Sequence, residues 1–409
     1  MDRSKFKKNT FMQYLLQIAK YIFPFITIPY LTRVLGPDVY AIRAYVLAAM
    51  TIMQVFLDFG FTAYGSKLIA EAKDNIDLVR TATSSIMYSK FVLCLLGSIV
   101  LFPVCLFIPI LSSNIIYVYI AYIGTCFTAL LPDFIFQGQE NMSIITNRYV
   151  LSQIVSIILI ILLIRSDADI LLVPIIEAIA TLVALIWSWH NAIFQHNIMF
   201  IRVHLSFILK SLKEAFIFFL SSASTVLFSS LTTLMIGIYI DDSAQISYWS
   251  IAITVISAIQ SLYSPIANSL YPHMVIRKDK LLAKRILYIG TFTSILLTFF
   301  VVLFSQQIMS IIGGEAFQSG SNILTLLAPM LVFSFPSILL GYPILAACNK
   351  AKYMTLTSIL ASIFHIMGLF ILCALDIFTI TNVAILRCLT ELLFMIFRFI
   401  FSFTILYGH

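Results

Sequence analysis

Long runs of apolar residues, separated by short polar segments, fill this chain from one end to the other. A helix that crosses a membrane needs roughly 20 mostly apolar residues. The pattern therefore predicts about twelve membrane-spanning helices in an all-α polytopic membrane protein. They are expected at about 11–31, 40–63, 85–109, 115–136, 149–165, 170–189, 214–240, 246–271, 286–309, 322–346, 354–375 and 378–400.

Polar side chains recur at helical spacing on the first two predicted spans, which a tight turn at Gly36-Pro37-Asp38 is expected to join. Intervals of three and four residues place each set on one face of its helix. Lipid cannot solvate such a face, so both faces are expected to line a polar cavity. The residues are Asn9, Gln13, Gln17, Lys20 and Thr27 on the first span, and Tyr40, Arg43, Thr51, Gln54 and Asp58 on the second.

The second half of the chain repeats this plan without the charges. Aligning the chain against itself superposes Tyr45 on Tyr248 and Thr51 on Thr254. The predicted organisation is an N-terminal six-helix lobe at 1–200, a cytoplasmic linker at 201–213 and a C-terminal six-helix lobe at 214–409. The polar row of the eighth span contains only hydroxyls and an amide, at Thr254, Ser257 and Ser261 and then through Ser264 or Pro265 to Asn268. A duplicated membrane bundle with a site between its halves is typical of transporters.

Composition and charge agree with this interpretation. The chain is 61% hydrophobic and 11% charged, with a mean hydropathy of +1.02. Lysines and arginines, Arg148 among them, concentrate in alternate loops, whereas the other turns hold acids such as Asp167 and Asp376. This asymmetry predicts that both termini are cytoplasmic. The net charge of +7 then belongs to the basic side of a membrane protein, and no nucleic-acid partner is expected.

Ionisable residues inside the predicted spans are the candidate site. Burial of a cation costs about 2.5–3.5 kcal/mol on insertion scales, so Lys20, Arg43 and Lys90 are expected to meet an anionic ligand or water. Snorkelling to the membrane surface is an equal alternative for Arg43 and a slightly favoured one for Lys90. The candidate cavity residues are Lys20, Arg43, Lys90, Gln13, Gln17, Gln54 and Arg387, the last with Glu391 one turn away.

Carboxylates inside the spans are candidates for coupling transport to an ion gradient. Asp58 is the first candidate, and the alternative for it is a structural pair with Lys67 or Lys20. Glu177, Glu391 and Asp133 are the other candidates.

Motifs of common enzymes are absent from the sequence. It contains neither the G-x-x-x-x-G-K-[ST] of a nucleotide-binding loop nor an H-E-x-x-H or G-x-S-x-G motif. Its six cysteines form no C-x-x-C pair. The sequence therefore predicts a non-enzyme with no cofactor and no metal site. The short predicted external loops also disfavour a polysaccharide polymerase or a lipid-dependent glycosyltransferase.

Three stretches resemble a known family, the Wzx-type lipid-linked oligosaccharide flippases. This family is the polysaccharide transporter branch of the multidrug/oligosaccharidyl-lipid/polysaccharide exporter superfamily. The first stretch is Pro29-Tyr30-Leu31-Thr32-Arg33-Val34-Leu35-Gly36 with Tyr40, and the second is Asp58-Phe59-Gly60-Phe61 with Gly65 and Lys67. The third is Leu131-Pro132, Phe134, Phe136-Gln137-Gly138, Glu140 and Met142, with Phe134 where the family often has Trp.

The resemblance implies two six-helix lobes that form a V around a central cavity in the bacterial inner membrane. It implies a flippase that moves undecaprenyl-diphosphate-linked oligosaccharide to the periplasmic leaflet by alternating access. The product would be O-antigen, as part of lipopolysaccharide, or capsular polysaccharide. The implied partners are the lipid-linked substrate, membrane lipid, a polysaccharide polymerase and a chain-length regulator. An ion-coupled drug or metabolite antiporter of the same superfamily is the alternative, although such proteins often need acidic cavities.

Overall fold

The computed structural model describes the backbone of residues 3–72, 75–240, 242–348 and 350–407. Side chains are described in these ranges except at 3–7, 221, 224, 225, 227–229, 272, 273, 276, 277, 351, 404 and 407. Every regular element in the described part is a helix, as expected for a chain whose apolar segments must satisfy their backbone hydrogen bonds inside lipid.

The chain divides into two compact units, Met1–Val226 and Leu227–His409. The helices of the first unit are α1 (Arg3–Asp58), α2 (Phe61–Ala72), α3 (Ile76–Phe107), α4 (Pro109–Ser112), α5 (Ile115–Ala129), α6 (Asp133–Gly138), α7 (Met142–Leu163) and α8 (Leu172–His190). The boundary falls inside α9 (Leu205–Tyr239), which begins within the stretch predicted as a linker.

The second unit continues with helices α10 to α17. They are α10 (Ser243–Ser261), α11 (Tyr263–Arg277), α12 (Lys280–Leu303), α13 (Ser305–Gly313), α14 (Ser321–Leu327), α15 (Met330–Leu339), α16 (Ala351–Ala374) and α17 (Ile380–Tyr407). A π-helical segment, Leu340–Ala346, follows α15 directly.

In the part of the chain that the structure describes, eight helical stretches are long and apolar enough to cross a membrane. The count is nine if the bent pair Glu315–Leu327 and Met330–Ala346 forms a single span. The first stretch, Lys8–Ala72, contains both of the first two predicted spans. The total of about twelve spans stays a prediction.

The turn predicted at Gly36-Pro37-Asp38 is shorter than expected. Gly36 is the single residue of α1 with non-helical angles, φ 69° and ψ 172°. Pro37 follows at once, and proline is well suited to the first turn of a helix because its missing N–H would have no partner there. Two helices therefore join through one glycine rather than through a loop.

Two other helix breaks lie in the first unit and determine the geometry of its polar cavity. Between α1 and α2, Phe59 and Gly60 both have positive φ, of 47° and 75°. Between α5 and α6, the helix is interrupted at Leu130-Leu131-Pro132. A helix that ends leaves its last carbonyl groups without backbone partners, so both breaks expose polar groups among the membrane helices.

The boundary of the fifth predicted span was wrong, and this changes the interpretation of Arg148. The span was expected to begin at residue 149, which placed Arg148 in a cytoplasmic loop. The structure begins α7 at Met142, so Arg148 lies two turns inside the helix and is 4% exposed. A charged side chain near the end of an apolar run lowers its hydropathy, and the pattern therefore ends the span too early.

Candidate functional site

A polar cavity of about 260 Å³ lies in the first unit, where the α1–α2 and α5–α6 breaks meet α3 and the first half of α9. Four of the candidate residues, Gln54, Asp58, Lys90 and Asp133, line it together. The remaining lining residues are Val55, Thr62, Thr128, Leu131 and Ser222. Such a concentration of polar groups among apolar helices is the mark of a functional site in a membrane protein.

Lys90 and Asp58 form an ion pair in this cavity. The Lys90 ammonium lies 2.9 Å from Asp58 Oδ1, and the side chains are 1% and 25% exposed. Lys90 also donates a hydrogen bond of 2.8 Å to the carbonyl of Ala129, the last residue of α5. In a continuous helix, a backbone N–H one turn later would donate to that carbonyl. Because the helix is interrupted between α5 and α6, the carbonyl is available to accept a hydrogen bond from Lys90. The Thr62 hydroxyl donates to Asp58 Oδ1 at 2.6 Å.

Asp133 and Arg148 form a second ion pair beside the first. The guanidinium binds both carboxylate oxygens, with Nη1 at 2.6 Å from Oδ1 and Nη2 at 3.1 Å from Oδ2. Nη1 also donates to the Ser188 hydroxyl at 3.0 Å. Two parallel bonds of this kind fix orientation as well as charge. Arg148 is therefore a structural partner of Asp133 and not the loop cation that the sequence predicted.

The first unit does not contain the set of uncompensated cations expected from the sequence. Arg43 Nη2 lies 3.0 Å from Glu177 Oε1, with side chains 12% and 43% exposed. With Lys90 paired to Asp58, two of the three expected free cations have carboxylate partners. The structural ion pair considered as the alternative role for Asp58 does form, but with Lys90. Lys67, one of the partners named for it, lies with its Nζ 3.8 Å from Glu71 Oε1 instead.

The polar row of α1 is exposed at Gln13, Gln17 and Lys20. No ion pair of Lys20 occurs among the described side chains. Asn9, at the start of the row, bonds to the turn before α7 by accepting from the Met142 N–H at 3.2 Å and donating to the Glu140 carbonyl. The row is therefore hydrogen-bonded to the rest of the first unit at Asn9, whereas its polar side chains over the next three turns of the helix are exposed.

The second unit has its own buried charged face, on α17. Arg387 Nη2 lies 3.5 Å from Glu391 Oε1, in agreement with their spacing of four residues. Arg398 was missed by the sequence analysis, although its spacing from Arg387 and Glu391 places it on the same face. Arg398 is 9% exposed, donates to the Ser337 carbonyl at 2.6 Å, and lies 3.9 Å from the centre of the Phe394 ring. Arg398 Nε is buried without a hydrogen-bond partner among the described residues.

His365 is another buried polar residue that the sequence analysis did not select. Its Nε2 lies 2.7 Å from the Thr232 hydroxyl and its Nδ1 lies 3.0 Å from the Thr390 hydroxyl. The described residues contain no group of three or more His, Cys, Asp or Glu side chains that could hold a metal ion.

Two of the sequence stretches that carried the family resemblance meet next to the cavity. The stretch from Asp58 forms the α1–α2 break and α2, whereas the stretch from Leu131 forms the α5–α6 break and α6. α2 packs on α6, and the Ser66 hydroxyl bonds to Gln137 Oε1 at 3.1 Å. Phe134, where the family often has Trp, is fully buried.

Comparison with known proteins identifies the family. The sequence pattern of the family described as "Polysaccharide biosynthesis protein" matches residues 6–276, and the chain belongs to this family. The chain is 25% identical over 380 residues to a "Putative O-antigen transporter" of Escherichia coli (strain K12), with 90% of each chain covered. It is 27% identical over 274 residues to a protein of the same name from Shigella dysenteriae, covering 66% of this chain and 67% of the relative.

Solved structures with a similar fold are membrane transporters. The lipid II flippase MurJ, in an inward closed conformation, matches with a TM-score of 0.77 at 14% identity, over 96% of this chain and 86% of that chain. An inward-facing multidrug resistance MATE family transporter of the MOP superfamily matches with a TM-score of 0.68 at 14% identity, over 95% and 94% of the two chains. The predicted all-α polytopic fold and the predicted resemblance to Wzx-type polysaccharide transporters are confirmed.

Proposed function

We propose that this protein is a flippase that moves undecaprenyl-diphosphate-linked oligosaccharide from the cytoplasmic to the periplasmic leaflet of the bacterial inner membrane. The oligosaccharide serves O-antigen or capsular polysaccharide synthesis. The names of the relatives and the fold of the structural neighbours support transport of this kind. A polysaccharide polymerase and a chain-length regulator act downstream, on the periplasmic side.

The observation that carries the proposal is the open polar row on α1. Gln13, Gln17 and Lys20 share one face of a membrane-length helix and are exposed there. An ammonium in contact with hydrocarbon costs about 2.5–3.5 kcal/mol on insertion scales. A diphosphate supplies the missing negative charge and accepts hydrogen bonds from the ammonium and the two amides. The row therefore suits the head group of a lipid-linked sugar, whose polyprenyl chain stays in lipid.

The ion-paired cavity supports alternating access as the mechanism. Lys90, fixed by Asp58 and the Ala129 carbonyl, joins α3 to the ends of α1 and α5. Transitions between discrete packed arrangements of a protein include the repacking of salt bridges between the elements that move. In the proposed cycle the substrate binds one arrangement and is released from the other.

Energy coupling is part of the proposal, with Asp58 as the titrating group. Asp58 contacts Lys90 through one oxygen and faces the cavity, whereas Asp133 is held by Arg148 through both oxygens. Glu177 and Glu391 are paired with Arg43 and Arg387. Protonation of Asp58 would remove its charge and leave the Lys90 ammonium to attract the diphosphate. A proton gradient would then favour substrate binding on one side of the membrane.

The ion pairs of the cavity, in which each carboxylate is neutralised by a cation, disfavour the alternative of an antiporter for cationic drugs. Such a ligand needs a carboxylate without a cation beside it, and both cavity carboxylates have one. The only lysine of the α1 row adds positive charge. Both features favour an anionic substrate over a cationic one.

Deletion of the gene tests the proposal in cells. We expect lipid-linked oligosaccharide to accumulate in the cytoplasmic leaflet and surface polymer to disappear. Plasmid-borne Lys20→Ala should fail to restore the polymer at normal protein levels, whereas Lys20→Arg should restore part of it because the charge is kept. Lys67→Ala is the matched control, because the side chains of both Lys67 and its partner Glu71 are exposed. Full export by Lys20→Ala would contradict the role of the α1 row.

Loss of proton coupling tests the role of Asp58 separately. Asp58→Asn copies the protonated side chain at nearly constant shape. We expect this variant to bind substrate but to transport at a rate that an imposed pH gradient does not change. A pH response equal to that of the unmodified protein would remove Asp58 from the coupling mechanism.

A further inference from the structure

An uncharged polar row runs along α10 and α11 in the second unit. Ser257, Ser261, Ser264 and Asn268 follow one another at intervals of three and four residues. The helices meet at Leu262, whose angles of φ −67° and ψ −16° stay close to helical, so the row keeps to one face. Ser257, Ser264 and Asn268 are exposed and Ser261 is half-buried.

A stacked pair of tyrosines continues this row. Tyr271 comes three residues after Asn268, and its ring stacks on that of Tyr342 with centroids 4.5 Å apart and planes 9° apart. Tyr342 belongs to the π-helical segment Leu340–Ala346, on which α11 packs. π-helical turns are rare and occur frequently at functional sites. Tyr342 is 43% exposed, so part of its side chain is accessible to a ligand.

This surface has the chemistry of a site for a neutral, hydroxyl-rich ligand. An amide and hydroxyls both donate and accept hydrogen bonds, which hydrocarbon cannot supply. Between Asp242 and Arg277 the sequence contains no Lys, Arg, Asp or Glu, so the row offers no ionic attraction to a charged group. The open face of a tyrosine is apolar and matches the C–H face of a sugar ring, while its hydroxyl remains available for a hydrogen bond.

We propose that Ser264, Asn268, Tyr271 and Tyr342 bind the neutral sugar rings of the transported lipid-linked oligosaccharide. This inference rests on the proposed flippase function and names the residues that recognise the oligosaccharide. The undecaprenyl diphosphate is common to all such lipids. The surface formed by Ser264, Asn268, Tyr271 and Tyr342 would therefore determine which oligosaccharides the protein accepts.

Binding measurements with two lipid probes test the assignment. The probes are undecaprenyl diphosphate, which has no sugar, and lipid-linked oligosaccharide extracted from a strain that lacks the gene. The variants are Asn268→Ala and Tyr342→Ala, made in the full-length protein and reconstituted in lipid nanodiscs. Both side chains are exposed. Truncation of Asn268 leaves the packing of the unit intact, whereas Tyr342→Ala also removes the stack on Tyr271. The matched control is Ser269→Ala.

Ser269 is a suitable control because it is exposed beside Asn268 but bonds within its own helix, to the Ile266 carbonyl at 2.9 Å. We expect each variant to weaken binding of the extracted oligosaccharide lipid about tenfold, the effect of about 1.4 kcal/mol. Binding of undecaprenyl diphosphate should not change. Ser269→Ala should stay close to the unmodified protein for both probes.

The outcomes separate this inference from the function on which it rests. If Lys20→Ala weakens both probes but Asn268→Ala and Tyr342→Ala weaken neither, the glycan surface is wrong and the flippase proposal stands. If both variants weaken the two probes equally, the residues do not recognise sugar, and the inference is again overturned. If the unmodified protein binds neither lipid, the flippase proposal fails and the glycan surface fails with it.

Discussion

Replacing Lys90 by methionine breaks the ion pair of the cavity while it keeps a side chain of similar length. The Asp58 carboxylate would keep the Thr62 hydroxyl, and the Ala129 carbonyl would lose its donor. Removing one partner of a buried ion pair costs about 3–5 kcal/mol. Because the Asp58 side chain is 25% exposed and the cavity has room for water, we expect the lower end, about 3 kcal/mol.

A second substitution measures the interaction itself. In Lys90→Met with Asp58→Asn, the charge left behind by the first substitution is gone. We expect the double variant to be about 2 kcal/mol more stable than the sum of the two single substitutions predicts, within the range of coupling energies for contacting residues. The exposed pair Lys67–Glu71, at 3.8 Å, is the matched control. Its coupling energy should stay below about 0.5 kcal/mol, as for other surface pairs one helical turn apart.

Unfolding of the purified proteins in one detergent, followed by tryptophan fluorescence, gives the free energies for both double-mutant cycles. The predicted result is a coupling energy for Lys90 and Asp58 several times larger than that for Lys67 and Glu71. A Lys90–Asp58 coupling no larger than that of the surface pair would refute the reasoning, because the two residues would then act independently.

Other predictions address the helix breaks, the second ion pair and the topology. Gly60→Ala should cost about 3 kcal/mol or more, because φ is positive and a Cβ would lie 2.5 Å from the Phe219 nitrogen. Gly36→Ala, at φ 69° and ψ 172° with nothing within 4 Å of the added Cβ, should cost about 1–3 kcal/mol, and a loss of stability larger than that of Gly60→Ala would contradict this. Arg148→Ala should lower stability by about 3–5 kcal/mol; an unchanged melting temperature would mean that Asp133 does not need its partner. A reporter that is active only outside the cytoplasm should be silent when fused after Lys352, and activity there would overturn the predicted orientation.

The fold class and the polar faces could be predicted because both are local properties of the sequence. Apolar runs of span length identify membrane helices wherever they occur. Intervals of three and four residues place Gln13, Gln17 and Lys20 on one face without reference to any other helix. The uncharged row from Ser257 to Asn268 followed in the same way.

The pairing of charges could not be predicted, because it depends on which helices are neighbours. Lys90 and Asp58 lie on different helices, and no local pattern indicates that they meet. The Ala129 carbonyl became available only through the α5–α6 break. Arg148 was misplaced because its charge shortened the apolar run that defined the span. Arg398, by contrast, could have been found from its helical spacing to Arg387 and Glu391.

Reconstituted flipping tests the central claim most directly. Lipid-linked oligosaccharide extracted from the deletion strain is placed in proteoliposomes, and a membrane-impermeant enzyme or label reports how much of it reaches the outer leaflet. We predict rapid transfer with the unmodified protein and with Lys67→Ala, and transfer close to that of protein-free liposomes with Lys20→Ala. Transfer by the unmodified protein no faster than in protein-free liposomes would contradict the proposal that this chain is a flippase.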